Sequence, residues 1–321
     1  MGACFGITQS NKRIQAFIPV RLRNSGEGPC FPAMKRIFSL PVLVFAALAA
    51  FQALPVSGET TIGPAITTVP VTISASGVYH FTKDLVYSPS TGTAINITAS
   101  DVVIDLNGFT LAGTAGAGTS SNGIVALGHN RITIKNGTVK GFADGVALGG
   151  DNTTVTDVLV DSSFRIGIRV AGAYANISGN HISATGGSAV SSVLDATGIS
   201  LTGTYGNVSG NLVDHTGATD VAKHYAIGID LLGCSNVSVA GNRVLSVSPA
   251  APASAVTTGI SADPSAASDN LIFLNNIVTG SEVGFDLSGA SSGSYGDNTT
   301  SGVATGYYSG GTGMSDIGGN N

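Results

Sequence analysis

The chain has 321 residues, a formal net charge of −5, 45 glycines and no tryptophan. Its few cations are scattered, which excludes nucleic acid as a partner, because phosphates need clustered Lys and Arg. An aromatic share of 6% with no tryptophan also argues against an extensive platform for stacking sugars.

In chain order, residues 1–33, with Cys4 and Cys30, read as a disordered upstream over-extension ahead of a start at Met34. Met34-Lys35-Arg36, the apolar run to Ala50 and the small-residue exit Val56-Ser57-Gly58 read as a signal peptide over 34–58. An exported protein follows, periplasmic, cell-surface or extracellular, with no stable membrane insertion once the leader is cleaved. Beyond residue 58 the chain keeps eight Lys/Arg against eighteen Asp/Glu, a net charge of −10, which repels an acidic polymer unless cations converge. Cys234 is the one cysteine left there, so no intrachain disulfide can form and the core must hold the fold.

Residues 59–93 read as an N-terminal cap and first strands, and 94–300 as the repeat itself. One phrase returns at intervals of about 22 to 31 residues: Gly123-Ile124-Val125-Ala126, Gly145-Val146-Ala147-Leu148, Gly167-Ile168-Arg169-Val170, Gly198-Ile199-Ser200-Leu201 and Gly228-Ile229-Asp230-Leu231. A second phrase runs half a repeat out of step: Ile177-Ser178-Gly179-Asn180-His181-Ile182, Val208-Ser209-Gly210-Asn211-Leu212-Val213 and Val239-Ala240-Gly241-Asn242-Arg243-Val244. Both alternate apolar with small or polar residues, which is strand periodicity with one face buried. Two short strands per turn, about eight times over, predict stacked coils with Ile95 to Phe285 as an inward ladder. Asn180, Asn211, Asn242 and Asn276 predict a second, structural ladder at a corner, bonding amide to amide and tolerating a left-handed backbone. The segment 301–321 reads as a C-terminal Gly-rich tail.

These coils resemble the right-handed parallel β-helix proteins of the pectin-lyase-like superfamily. The opening segment Gly77-Val78-Tyr79-His80-Phe81, leading to Val103-Ile104-Asp105-Leu106, is similar to that of its secreted bacterial members. The resemblance implies an all-β solenoid, a single-stranded right-handed parallel β-helix. It implies no particular activity, since one scaffold hosts many chemistries. The family's hydrolases carry Asn-Thr-Asp, Asp-Asp, Gly-His-Gly and Arg-Ile-Lys; none occurs here, and Gly128-His129-Asn130 matches by half. The Arg-x-Pro-x-x-Arg segment of its pectate lyases is absent, and Asp263-Pro264 is the nearest piece of the epimerases' Asp-Pro-His-Asp.

The uneven coil lengths locate any site. Extra residues fall at 183–197, 214–226 and 245–258, three loops on one edge beside the variable third position of the first phrase. That position gives an outward column: Arg169, Ser200, Asp230, Ser261 and Asp286. Arg169, Asp214, Lys223, His224 and Asp230 are the candidate catalytic residues. A lyase or uronate epimerase needs a base at the sugar's α-proton and a cation against its carboxylate. The competing expectation is an ordinary solvated sheet face on a glycan-binding or envelope module with no catalytic set. A polysaccharide is thus the partner considered, with the oligomeric state open. No cofactor is expected: Asp214, Asp220, Asp230 and Asp286 offer oxygen ligands for calcium, but no calcium-binding spacing supports it. The metal question stays open.

Overall fold

The computed structural model describes residues 63–190, 195–217, 225–248, 256–308 and 313–321; the segment 1–33 and the signal peptide expected over 34–58 lie outside them. The described residues form strands and turns and no helix. All strand pairs are parallel and in register, coil on coil. Ten strands carrying the first phrase form one sheet, from Val71–Ile73 to Thr305–Tyr308; eighteen strands form the other. Rungs therefore lie on both sides of the 94–300 span, and Met314–Asp316 still stacks on Gly293–Gly296.

The expected inward ladder is present. Ile95, Ile124, Val146, Ile168, Ile199, Ile229, Ile260 and Phe285 are paired neighbour to neighbour and fully buried. Glycine opens the phrase for lack of room. A Cβ on Gly198 would stand 2.4 Å from Val213 Cγ1 and 2.6 Å from the carbonyl oxygen of Gly228. Gly228 meets Val244 and Gly259 in the same way, and Gly259 meets Val278 and Gly284. Each coil is closed by its own returning strand pressing on a bare backbone.

The coils Asn122–Leu127 with Ile132–Lys140 and Asp144–Gly149 with Thr154–Asp161 carry the expected two strands, whereas those from Ile166–Ala171 onward carry three. The second phrase breaks at its corner, as in Asn176–Ser178 and His181–Ser183. The left-handed residue there is the one before each ladder asparagine, Gly179, Gly210, Gly241 and Asn275, all with φ between 55° and 66°. The asparagines themselves are not left-handed; they face inward and are buried. Asn180 Nδ2 donates to Asn211 Oδ1 at 3.0 Å and to Val155 O at 2.8 Å. Asn211 Oδ1 also accepts the Asn180 backbone N–H at 3.0 Å. The pattern repeats through Asn242 and Asn276 and continues to Asn298. Every amide atom is used, which is what makes a buried amide tolerable.

A third column occupies the corner that follows the first phrase. Asp101, Arg131, Asn152, Tyr174, Tyr205, Asn236 and Asn270 all have φ between 49° and 60°. Asn and Asp visit this region readily, whereas a bulky residue is strained there. Tyr174 and Tyr205 are both more than half exposed, and their rings stack with centroids 5.1 Å apart. The strain, about 1–2 kcal/mol per residue, is not outweighed by a stacking gain of about 0.5–1.5 kcal/mol for the pair.

Two substitutions test this packing. Gly198→Ala should destabilise by about 1–3 kcal/mol through overpacking, seen as a lower urea midpoint. Asn211→Ala should cost about 1–3 kcal/mol for each buried group it orphans. An Asn211→Ala midpoint equal to that of the wild type would show that the ladder is not holding the corner.

Candidate functional site

The register sets the outward column in a straight line: Ala147, Arg169, Ser200, Asp230, Ser261 and Asp286 on successive rungs. Adjacent rungs are about 4.8 Å apart, so Asp230 stands about 10 Å from both Arg169 and Asp286. The solvated sheet face expected here is not what the column forms around Asp230. Asp230 is 8% exposed and Ser261 4% exposed, although both point away from the core.

They line a cleft of about 650 Å³ whose walls rise on either side of them. One wall comes from residues ahead of the strands, Asp195, Tyr225 and Val256; the other is the turn Asp263-Pro264-Ser265 after Thr257–Ala262. Both walls are fastened. The Tyr225 N–H donates to Asp195 Oδ1 at 2.8 Å, and the Ser265 N–H donates to Asp263 Oδ1 at 2.7 Å. Four carboxylates line the space, those of Asp195, Asp230, Asp263 and Asp286, with no Lys, Arg or His among the described lining residues.

Asp230 Oδ1 is buried without a hydrogen-bond partner. Burial, then the charge of Asp263, push its carboxyl up to about 7, and the Ser261 hydroxyl offsets them only in part. A carboxyl poised near neutrality can hold or release a proton where an exposed aspartate cannot.

The described candidate residues do not form one cluster. Arg169 turns to Asp144, with Nη2 at 3.2 Å from Asp144 Oδ2. Arg165 grips the same carboxylate with two bonds, Nε to Oδ1 at 2.6 Å and Nη2 to Oδ2. Asp144 is fully buried, so these cations serve a structural charge. Asp214 lies on the other sheet, in the strand Leu212–Asp214, between His181 at 3.3 Å and His215 at 3.4 Å. Lys223 and His224, with Asp220, lie outside the described residues. Asp230 is thus the one described candidate that lines the cleft. Asp263 also lines the cleft, although its sequence context, Asp263-Pro264, shows only a fragment of an absent motif. Among the described residues no group of three or more His, Cys, Asp or Glu is arranged to hold a metal ion. Cys234 is buried and its thiol is pushed up to about 11 by burial, so it is packing, not a nucleophile.

The raised carboxyl has a sign that can be measured. Below about pH 4 both folded and unfolded chains hold this proton. From there to about 7 the unfolded chain gives it up first, so stability falls as pH rises, and above about 7 the penalty is constant. Asp230→Asn should therefore melt higher than the wild type at pH 8, with an advantage that shrinks toward pH 4. A pH-independent difference would show that the carboxyl is solvated.

Comparison with known proteins agrees with this architecture. Residues 122–301 match the family described as Right handed beta helix region. No curated protein sequence matches the chain. Of the solved structures, the Dettilon tailspike protein is similar at 16% identity with a TM-score of 0.52, covering 80% of this chain and 59% of its own. The chain thus spans about three fifths of that protein, and the likeness is one of fold. The A-module of the Azotobacter vinelandii mannuronan C-5 epimerase AlgE4 (12% identity, 87% and 88% covered) has a TM-score of 0.44. The catalytic domain of a GH87 alpha-1,3-glucanase (12% identity, 82% and 70% covered) has a TM-score of 0.32. With parallel in-register rungs stacked coil on coil and a family match across more than half its length, the chain belongs to the right-handed β-helix family and has the pectin-lyase-like fold.

Proposed function

We propose that this is an exported β-helix protein that binds a neutral glycan in the cleft over Asp230. The observation that carries the reading is the cleft itself, about 650 Å³, lined by four carboxylates and by hydroxyls with no cation among its described lining residues. Sugar hydroxyls are the neutral donors such a surface lacks, and a carboxylate accepts two of them side by side. Thr197, Thr258 and Ser261 add hydroxyls along the floor, and Tyr225, 54% exposed, offers a ring at the wall. A uronate polymer fits this lining poorly. Its carboxylates would face four others, and Arg169 is engaged by Asp144. Export rests on the leader at 34–58.

One observation favours a second reading, in which the bound glycan is hydrolysed. Asp230 keeps a proton near neutral pH, while Asp286 sits two rungs away on the same column. Inverting hydrolysis uses such a pair, a protonated acid for the leaving oxygen and an ionised base for water, about 6.5–9.5 Å apart. The rung positions are about 10 Å apart, just outside that range, and Asp286 Oδ1 also accepts the Ser288 N–H at 3.0 Å.

Calorimetric titration of the full chain with neutral oligosaccharides should give heat, and with oligogalacturonate none. Asp230→Ala should weaken the neutral interaction by about tenfold, the factor that 1.4 kcal/mol represents. Binding of oligogalacturonate in preference to neutral sugar would overturn the reading. Hydrolysis is read separately as new reducing ends, abolished in Asp230→Asn and in Asp286→Asn. Binding with no reducing ends would leave a lectin-like module.

A further inference from the structure

The stacked Tyr174–Tyr205 pair stands apart from the cleft, in the corner column beyond the C-terminal ends of the first-phrase strands. The column is fixed by one repeated hydrogen bond. The N–H of Tyr174 donates to Thr204 O at 2.8 Å and that of Tyr205 to Ser235 O at 2.9 Å. The N–H of Asn152 donates to Ala173 O at 2.8 Å and that of Asn236 to Asp269 O at 3.0 Å. The backbone therefore asks the same of all four positions, and Asn meets it without the strain that Tyr carries. Two adjacent coils nevertheless present Tyr, with rings 56% and 55% exposed. Residues held in a disfavoured backbone region and left in solvent point to a use outside the fold.

The surroundings say what would bind. Each ring reaches farther from the backbone than the Asn beyond it, so the outer part of its free face is open. Past Tyr205 lie the exposed amides of Asn236 and Asn270, joined at 2.8 Å; past Tyr174 lies exposed Asn152. An aromatic wall above uncharged amides suits a partner with an apolar C–H face and equatorial hydroxyls. It offers little to a phosphate or an acidic polymer, because the exposed carboxylates of Asp151 and Asp269 stand beside these amides.

We infer that the Tyr174–Tyr205 stack, with Asn152, Asn236 and Asn270 beside it, is a second glycan-binding ledge that takes the ring faces of a neutral polysaccharide. It is separate from the Asp230 cleft and does not depend on that cleft being occupied. A long chain engaging both would gain avidity that a short oligosaccharide would not.

The test is electrophoresis of the full chain through gels cast with neutral polysaccharides: cellulose ether, galactomannan and soluble α-glucan. Three proteins are compared: the wild type, Asp230→Ala, and the double variant Tyr174→Asn/Tyr205→Asn. The ledge predicts that at least one polymer retards the wild type, that Asp230→Ala remains retarded, and that the double variant needs at least tenfold more polymer for equal retardation. The double variant should melt at the wild-type temperature or above it, since Asn relieves the strained backbone. As the chain has no tryptophan, its near-ultraviolet dichroism reports tyrosines and phenylalanines. The polymer should perturb that signal more in the wild type than in the double variant, which keeps Tyr225 of the cleft; an equal perturbation in both would overturn the ledge. Four further results would each overturn the inference: equal retardation of the double variant, no retardation of the wild type by any polymer, loss of retardation in Asp230→Ala alone, or a clear drop in melting temperature in the double variant. Wild-type self-association that the double variant abolishes would instead make the pair an interface between copies, and would overturn it too.

Discussion

The bare glycine backbone at the start of each first-phrase strand is the constraint on which the rest depends. At Gly123, Gly145, Gly167, Gly198, Gly228 and Gly259 an added Cβ would lie within 2.4–2.8 Å of the next glycine's carbonyl oxygen. The side chain of a returning strand, Val139, Val160, Ile182, Val213, Val244 or Val278, fills the space left empty. This contact fixes how far the two sheets stand apart, and so how tightly each coil closes. With closure fixed, the phrase keeps its phase, and the inward and outward columns run straight along ten strands. The outward residues then inherit the rung spacing as a ruler, which sets the separation of Asp230 from Asp286.

The asparagine ladder does complementary work at the opposite corner. There the chain must turn inside the core, which leaves backbone groups without strand partners. Asn211 answers two of these needs at once, accepting the Asn180 N–H and donating to Ile177 O, and bonds Asn242 as well. Stability in such a stack is close to a sum of coil and neighbour contributions. A local cost on one coil is therefore borne without unravelling the others.

Much of this was legible in the sequence because it depends on spacing alone. The phase of the phrase, the buried ladder from Ile95 to Phe285 and the Asn180–Asn276 column all follow from residues repeating at coil intervals. The third strand escaped because the bend lies in the residue before each asparagine, where Gly179 and Asn275 look like ordinary loop residues. Asp230 was found by its column, but its burial was not, since the turn at Asp263 and the wall at Tyr225 come from different coils. Arg169 misled for a related reason. Asp144, its partner, sits one rung away and at another position along the strand, so no single column joins them. Low aromatic content spoke against sugar stacking, yet it says nothing of where aromatics fall. Tyr174 and Tyr205 occupy the same place in consecutive coils, Tyr-Ala-Asn-Ile-Ser and Tyr-Gly-Asn-Val-Ser, which was the available signal.

A repeat protein carries its own internal controls, because each column shows what a position needs for folding. In the outward column Ser200 and Ser261 flank Asp230, one rung to either side. A serine there has no charge to bury, so folding alone would be served by serine at all three places. Aspartate instead leaves an oxygen orphaned and a carboxyl pushed up to about 7. In the corner column Asn152 and Asn236 flank the two tyrosines in the same way, and again the costlier residue occupies the middle. Both departures lie on faces pointing away from the core, and the neighbours, Ser261 for Asp230 and the stacked ring for each tyrosine, offset the cost only in part. A residue that weakens the coil it sits on, where the adjacent coil displays the cheaper choice, is best explained by what it meets outside the protein.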